Sequence, residues 1–103
     1  MPDPMKIRAN LVGGSTEVKV LMSHEMETGQ RKDGQGKVIP AWFIQKVNVM
    51  HNDKVVLAAQ WGPAVSKNPF VSFKFEGGAK GDKVKITWID NHGDTRADEA
   101  TIA

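Results

Sequence analysis

Along most of this chain, hydrophobic and polar residues alternate with a period of two. That is the mark of strands with one buried face. Met5, Ile7, Ala9 and Leu11 alternate with Lys6, Arg8 and Asn10. Gly13-Gly14 turns the chain, and Val18, Val20 and Met22 then alternate with Glu17 and Lys19. From Ser23 to Lys37 the pattern stops and Gly29, Gly34 and Gly36 lie among polar residues, so a long loop is expected there. Loops of this length in compact domains are usually functional or mobile. A strand is predicted from about Ala41 to His51, with Phe43, Val47 and Val49 on one face. Asn52-Asp53 is turn chemistry, and Val55, Leu57, Ala59 and Trp61 lie on the next strand, so residues 41–61 read as a hairpin. Val71, Phe73 and Phe75 are expected to face inward on a further strand, which Gly77-Gly78 and Gly81-Asp82 break. Val84, Ile86 and Trp88 show the clearest alternation, Asp90 to Asp94 turns, and Thr95 to Ile102 is a last, weakly patterned strand.

About seven short antiparallel strands without helical periodicity predict an all-β fold. The expected architecture is an immunoglobulin-like β-sandwich occupying residues 1–103 as one domain, with a small barrel as the alternative. The Cys…Trp…Cys pattern of antibody domains is absent, but Trp88 is a candidate for the aromatic between the sheets.

The segment Trp61 to Phe70 departs from the pattern. It places two large aromatics at the ends of a stretch that holds two prolines and one charge. Solvent loops are ordinarily more polar. Trp61, Pro63, Val65 and Phe70 are therefore candidate partner contacts, although Trp61 and Phe70 could equally be core residues, because aromatics serve both ends.

Composition narrows the chemistry. The 103 residues are 40% hydrophobic and 25% charged, as in an ordinary globular domain, and there is no cysteine. The chain thus has no disulfide, thiol nucleophile or zinc–thiolate site, and any thiol chemistry must come from another chain. A formal charge of +2, with acids and bases mixed throughout, gives no basic stripe of the kind that tracks nucleic acid. No apolar run approaches a membrane span, and the N-terminus has no hydrophobic segment of signal-peptide type, which taken alone implies the cytoplasm.

Candidate catalytic residues are few. His51 and His92 sit beside turn residues and are expected to face solvent, and no histidine pair has metal-ligand spacing. Ser66, in Ala64-Val-Ser-Lys67, lacks the nucleophile-elbow pattern. Met22, His24 and Met26 place thioethers on both sides of an imidazole, a donor set suited to Cu(I), so a copper-binding sandwich is the alternative function. The plainer reading ends a core strand at Met22 and makes His24 and Met26 the start of a partner-facing loop, so the three form a second candidate contact region.

The residues also carry a resemblance. Thr16-Glu-Val-Lys-Val-Leu-Met22, His24, Met26-Glu-Thr-Gly29 and Arg31-Lys-Asp33 resemble the SoxZ family of bacterial sulfur-oxidation proteins. The likeness continues through Gly36-Lys-Val-Ile-Pro40, Phe43-Ile-Gln45, Ala59-Gln-Trp-Gly-Pro-Ala-Val-Ser-Lys-Asn-Pro-Phe70 and Ser72-Phe-Lys-Phe75. It closes with Gly81-Asp82, Thr87-Trp88, Asp90-Asn-His-Gly-Asp94 and Asp98-Glu-Ala-Thr-Ile102, and so covers nearly the whole chain. The resemblance implies an immunoglobulin-like sandwich and a non-catalytic subunit without cofactor or metal. It implies a heterodimer with SoxY, whose tail cysteine carries sulfur intermediates of thiosulfate oxidation and, through it, contact with the other Sox enzymes. It also implies a periplasmic location reached as a folded passenger of exported SoxY, in place of the cytoplasm. Without that partner, an exposed apolar surface is expected to self-associate.

Overall fold

The alternating runs become strands because a period of two puts their apolar side chains on one face, which only a second sheet can bury. The computed structural model describes residues 3–103. It contains strands β1 (Lys6–Val12), β2 (Ser15–Leu21), β3 (Ile44–His51), β4 (Lys54–Gln60), β5 (Phe70–Glu76), β6 (Lys83–Asp90) and β7 (Thr95–Thr101). All neighbours pair antiparallel, in one sheet of order β1-β2-β5 and a second of order β4-β3-β6-β7. This is a seven-stranded sandwich, not a barrel. Val18 and Val20 from the first sheet meet Val47, Val49, Val84, Ile86 and Trp88 from the second in one buried cluster.

Two bulges correct the expected faces. Ile44 pairs with Asp90 and Lys46 with Ile89, so Gln45 is an extra residue in β3. The insertion shifts the inward parity: Ile44, Val47 and Val49 are buried, whereas Phe43, expected on that face, lies half-buried ahead of the strand. Likewise Val49 pairs with Leu57 and Met50 with Val55, leaving Val56 unpaired in β4. Val55, in one alternating series with Leu57 and Ala59, is thereby turned out and is 54% exposed.

The two ends of the sandwich are closed differently. On the β1/β7 side the chain terminus crosses between sheets, where the Ala103 amide donates to the Ala9 carbonyl and the Leu11 amide to the Ala103 carbonyl. Arg96 and Asp98, on the half-buried side of β7, pair at 2.8 Å, and Asp98 also accepts the Met5 amide. On the other side, β4 and β5 are the edges of different sheets, joined by residues 61–69, and core-facing Leu57, Ala59, Trp61, Val71 and Phe73 are only partly covered. The loop expected over 23–37 is part of a longer connection from β2 to β3, pinned as an irregular hairpin by bridges Glu27–Trp42 and Lys32–Val38.

One glycine is required by packing as well as by turn geometry. Gly78 has φ of +95°, and a side chain there would collide with Thr16 Oγ1 and press on Ile102. Thr16 is fully buried and donates to the Gly77 carbonyl at 2.8 Å, so it has no room to yield. Gly78→Ala should cost about 2 kcal/mol or more, lowering Tm by roughly 10 °C. Gly77→Ala, strained in φ but facing open space, should cost clearly less. Equal losses in a thermal melt would remove the Thr16 contact as the cause.

Candidate functional site

The alternation that builds the core runs past the last apolar residue of two strands. In β6 it places Val84, Ile86, Trp88 and then Asp90 inward, and Asp90 is 2% exposed. In β2 it continues through Thr16, Val18, Val20 and Met22 to His24 and Met26, all buried. The strand pairing continues too, with the Met22 amide donating to the Pro69 carbonyl and the Asn68 amide to the His24 carbonyl. The two extensions meet, and His24 Nε2 lies 3.0 Å from Asp90 Oδ2.

Every acceptor site of the Asp90 carboxylate is used. Oδ2 accepts from His24 Nε2 and from Trp42 Nε1 at 2.7 Å, and Oδ1 accepts the backbone amides of His92 and Asp94 at 2.9 Å each. Burial alone would raise this carboxyl's pKa. The bonds from His24 and Trp42 and from the two amides outweigh it and hold the group below the ordinary aspartate value. His24 Nδ1 accepts the Met26 amide at 3.0 Å, so the partners assign a neutral ring that donates through Nε2. The imidazole is boxed by Trp42 and Trp88, both edge-on with centroids 5.1 and 5.2 Å away, and Trp42 stacks in turn on His92.

This His–Asp pair has the elements of a catalytic dyad but no free lone pair for a substrate. It is equally closed to a metal. Copper at His24 would have to displace Asp90 or the Met26 amide, and Met26 Sδ already faces the Ile44 amide at 3.4 Å. Among the described residues, no cluster of three or more His, Cys, Asp or Glu could hold a metal ion. The adjacent cavity, about 210 Å³, is bordered by Asp3, Glu25 and Asp94, so its mouth repels anions.

The second candidate region hangs from this knot. His24's amide donates to Asn68 Oδ1 at 3.0 Å, and Lys67 pairs with Glu25 at 3.3 Å, so residues 67–69 are zipped to residues 22–25. The segment then delivers Phe70 to the outer face of the three-stranded sheet, 62% exposed. Two shallow depressions flank its ring, one of about 590 Å³ reaching to Lys6 and Leu21 and one of about 520 Å³ reaching to Trp61 and Val65.

The expected contacts therefore divide. Phe70 and Pro63 are at the surface, whereas Trp61 and Val65 are half-buried against the core. Met22, His24 and Met26 do not form a partner-facing loop. Strand alternation carries them inside and leaves half-buried Ser23 and exposed Glu25 between them. His51 does not face solvent freely either; it binds Asp82 at 2.7 Å and packs on Phe75. His92 is exposed but held against Trp42. Trp42 and Asp90 went unrecognised as site residues in the sequence, although the period of two through Val84, Ile86 and Trp88 points to Asp90.

Asp90→Asn should destabilise the fold by about 3 kcal/mol at neutral pH, because an amide presents N–H groups where four donors converge. The native carboxyl titrates below its unfolded value of about 3.9, so its stabilisation is complete above that value and is lost as pH falls through the native one. The gap in Tm between wild type and variant should hold steady from pH 7 to about pH 5 and narrow below about pH 4. A gap that narrows near neutrality would point to another group. Added Cu(I) should leave Tm unchanged, and a stoichiometric rise that His24→Ala abolishes would reopen the copper reading.

Comparison with known proteins agrees with this architecture. A variant of superoxide reductase (neelaredoxin) from Archaeoglobus fulgidus, in the reduced form, superposes with a TM-score of 0.59. The match covers 97% of this chain and 86% of that one, and at 19% identity it shows the fold alone. No curated protein matches in sequence. The family described as sulphur oxidation protein SoxZ matches residues 5–101, nearly the entire chain. The sandwich, the lack of cysteine and this match agree, and the chain belongs to the SoxZ family, with a role in the Sox system of sulfur oxidation.

Proposed function

We propose that this chain is the non-catalytic half of a two-subunit sulfur carrier. It pairs with SoxY, whose cysteine holds the sulfur intermediates of thiosulfate oxidation, and it acts in the periplasm after export with that partner. The family match over residues 5–101 carries the reading. Three features of the chain support it. With no cysteine it offers no rival thiol that could capture a cargo by exchange. Its one buried His–Asp pair is saturated by structural hydrogen bonds. Among the described residues its most exposed large hydrophobic side chain, Phe70, stands between two shallow depressions on a rigidly tethered segment, as an interface anchor would.

Purified SoxY and this chain should form a stable 1:1 complex, and the absence of any complex would sink the carrier reading. Phe70→Ala should weaken the complex by about 2 kcal/mol, roughly 30-fold in Kd, with Tm unchanged. Trp61→Ala should lower Tm as well, because that ring lies partly against the core. Titration calorimetry of both variants, with matched melts, separates anchor from core. An unaltered Kd for Phe70→Ala would place the interface elsewhere.

A further inference from the structure

The outer face of the three-stranded sheet is unusually composed. The register aligns Lys6, Leu21 and Phe70 in one row across the strands, Arg8, Lys19 and Ser72 in the next, and Asn10, Glu17 and Lys74 in the third. The first two rows hold three cations and no acid. Arg8 lies directly opposite Lys19, a like-charge cross-strand pair that costs stability. Lys19 is partly offset by Glu17 at 3.5 Å, and Glu17 also approaches Lys74 at 3.9 Å. Among the described residues, no carboxylate lies within ion-pair distance of Lys6 or Arg8.

Beside these cations stand two exposed apolar side chains, Leu21 at 40% and Phe70 at 62%. The outer face of the other sheet also carries cations beside exposed apolar side chains, Lys46 opposite Ile89 and Lys85 in one row with Met50 and Val55, but there Lys85 lies opposite Glu99 and the central row is Ala58, Asn48, Thr87 and Ala97. A chain whose net charge is only +2 thus gathers three cations around the 62% exposed ring of Phe70, at some cost to its own sheet. Folding alone would favour an acid opposite Arg8.

We propose that this basic face, anchored by Phe70, receives the partner subunit, and that the partner's contacting surface is acidic around an apolar recess. The inference rests on the pairing with SoxY proposed above and names the surface and chemistry of that pairing. The three cations lie on adjacent positions of one face, within the Debye length of about 8 Å at physiological ionic strength, so an approaching acidic surface meets them together. They steer the encounter, and burial of Phe70 and Leu21 then holds the complex.

The test is the association rate of SoxY with the full-length chain, followed as ionic strength is raised. The wild-type on-rate should fall by about tenfold or more. The triple variant Lys6→Glu, Arg8→Glu, Lys19→Glu should lose about tenfold or more in on-rate at low salt, with a flattened salt dependence and little change in off-rate. Lys46→Glu with Lys85→Glu, on the other sheet, should keep the wild-type on-rate. Should the triple variant fail to fold by circular dichroism, Lys6→Ser with Arg8→Ser reads the same effect at smaller amplitude. An on-rate that ignores both salt and these substitutions overturns the proposal while the pairing stands. A control pair that slows association as much as the triple variant overturns it as well. If SoxY does not bind the wild-type chain, the pairing itself fails and this inference with it.

Discussion

The buried carboxylate of Asp90 is the constraint on which one whole end of this molecule depends. Taking a carboxylate out of water costs several kcal/mol, and only good geometry with every lone pair used repays it. Here the four donors come from three different stretches of chain: His24 beyond β2, Trp42 ahead of β3, and the amides of His92 and Asp94 in the turn after β6. Each of those stretches would otherwise be loop. Asp90 ties them into one knot, and the Asn68–His24 bonds extend it to the segment that leads to Phe70. A residue pair that elsewhere serves as a base and its orienter serves here as a fastener.

That fastening holds the approach to Phe70 in one conformation. An exposed aromatic binds well only if little freedom is lost on docking. Phe70 starts a paired strand, and the peptide before it is fixed by the Met22–Pro69 bond. The two sides of the sandwich are closed differently. Its β1/β7 side is covered by residues 102–103 and by the Arg96–Asp98 pair, whereas the β4/β5 side keeps partly covered apolar residues and, among the described residues, no charge pair of that kind. Half-buried charges are a common guard against unwanted edge pairing, and here they stand on one side only.

The strands were legible because burial on one face writes a period of two into the sequence. All seven appear close to where alternation predicts them, and Trp88 does pack between the sheets. The errors have two causes. Gln45 and Val56 are bulge residues, and one extra residue reverses the face of everything beyond it without altering composition. His24 and Asp90 are polar, so the alternation seemed to end before them. It did not, because the two polar groups satisfy each other and can share the interior. The exposed anchor was half legible: Trp61 and Phe70 stood out together, but their different burial follows from which sheet face each strand end reaches.

The sequence by itself determined the all-β class, the strand order in the chain, the lack of any thiol chemistry and the membership in the SoxZ family. These depend on local periodicity and residue identity. Tertiary structure decided that Met22, His24 and Met26 are core, that Asp90 is saturated, and that Lys6, Arg8, Lys19 and Phe70 share one face. Those facts join residues up to sixty-six positions apart, as His24 and Asp90 are. No local pattern encodes which distant strand will be a neighbour; the pairing of sheets around a shared core does.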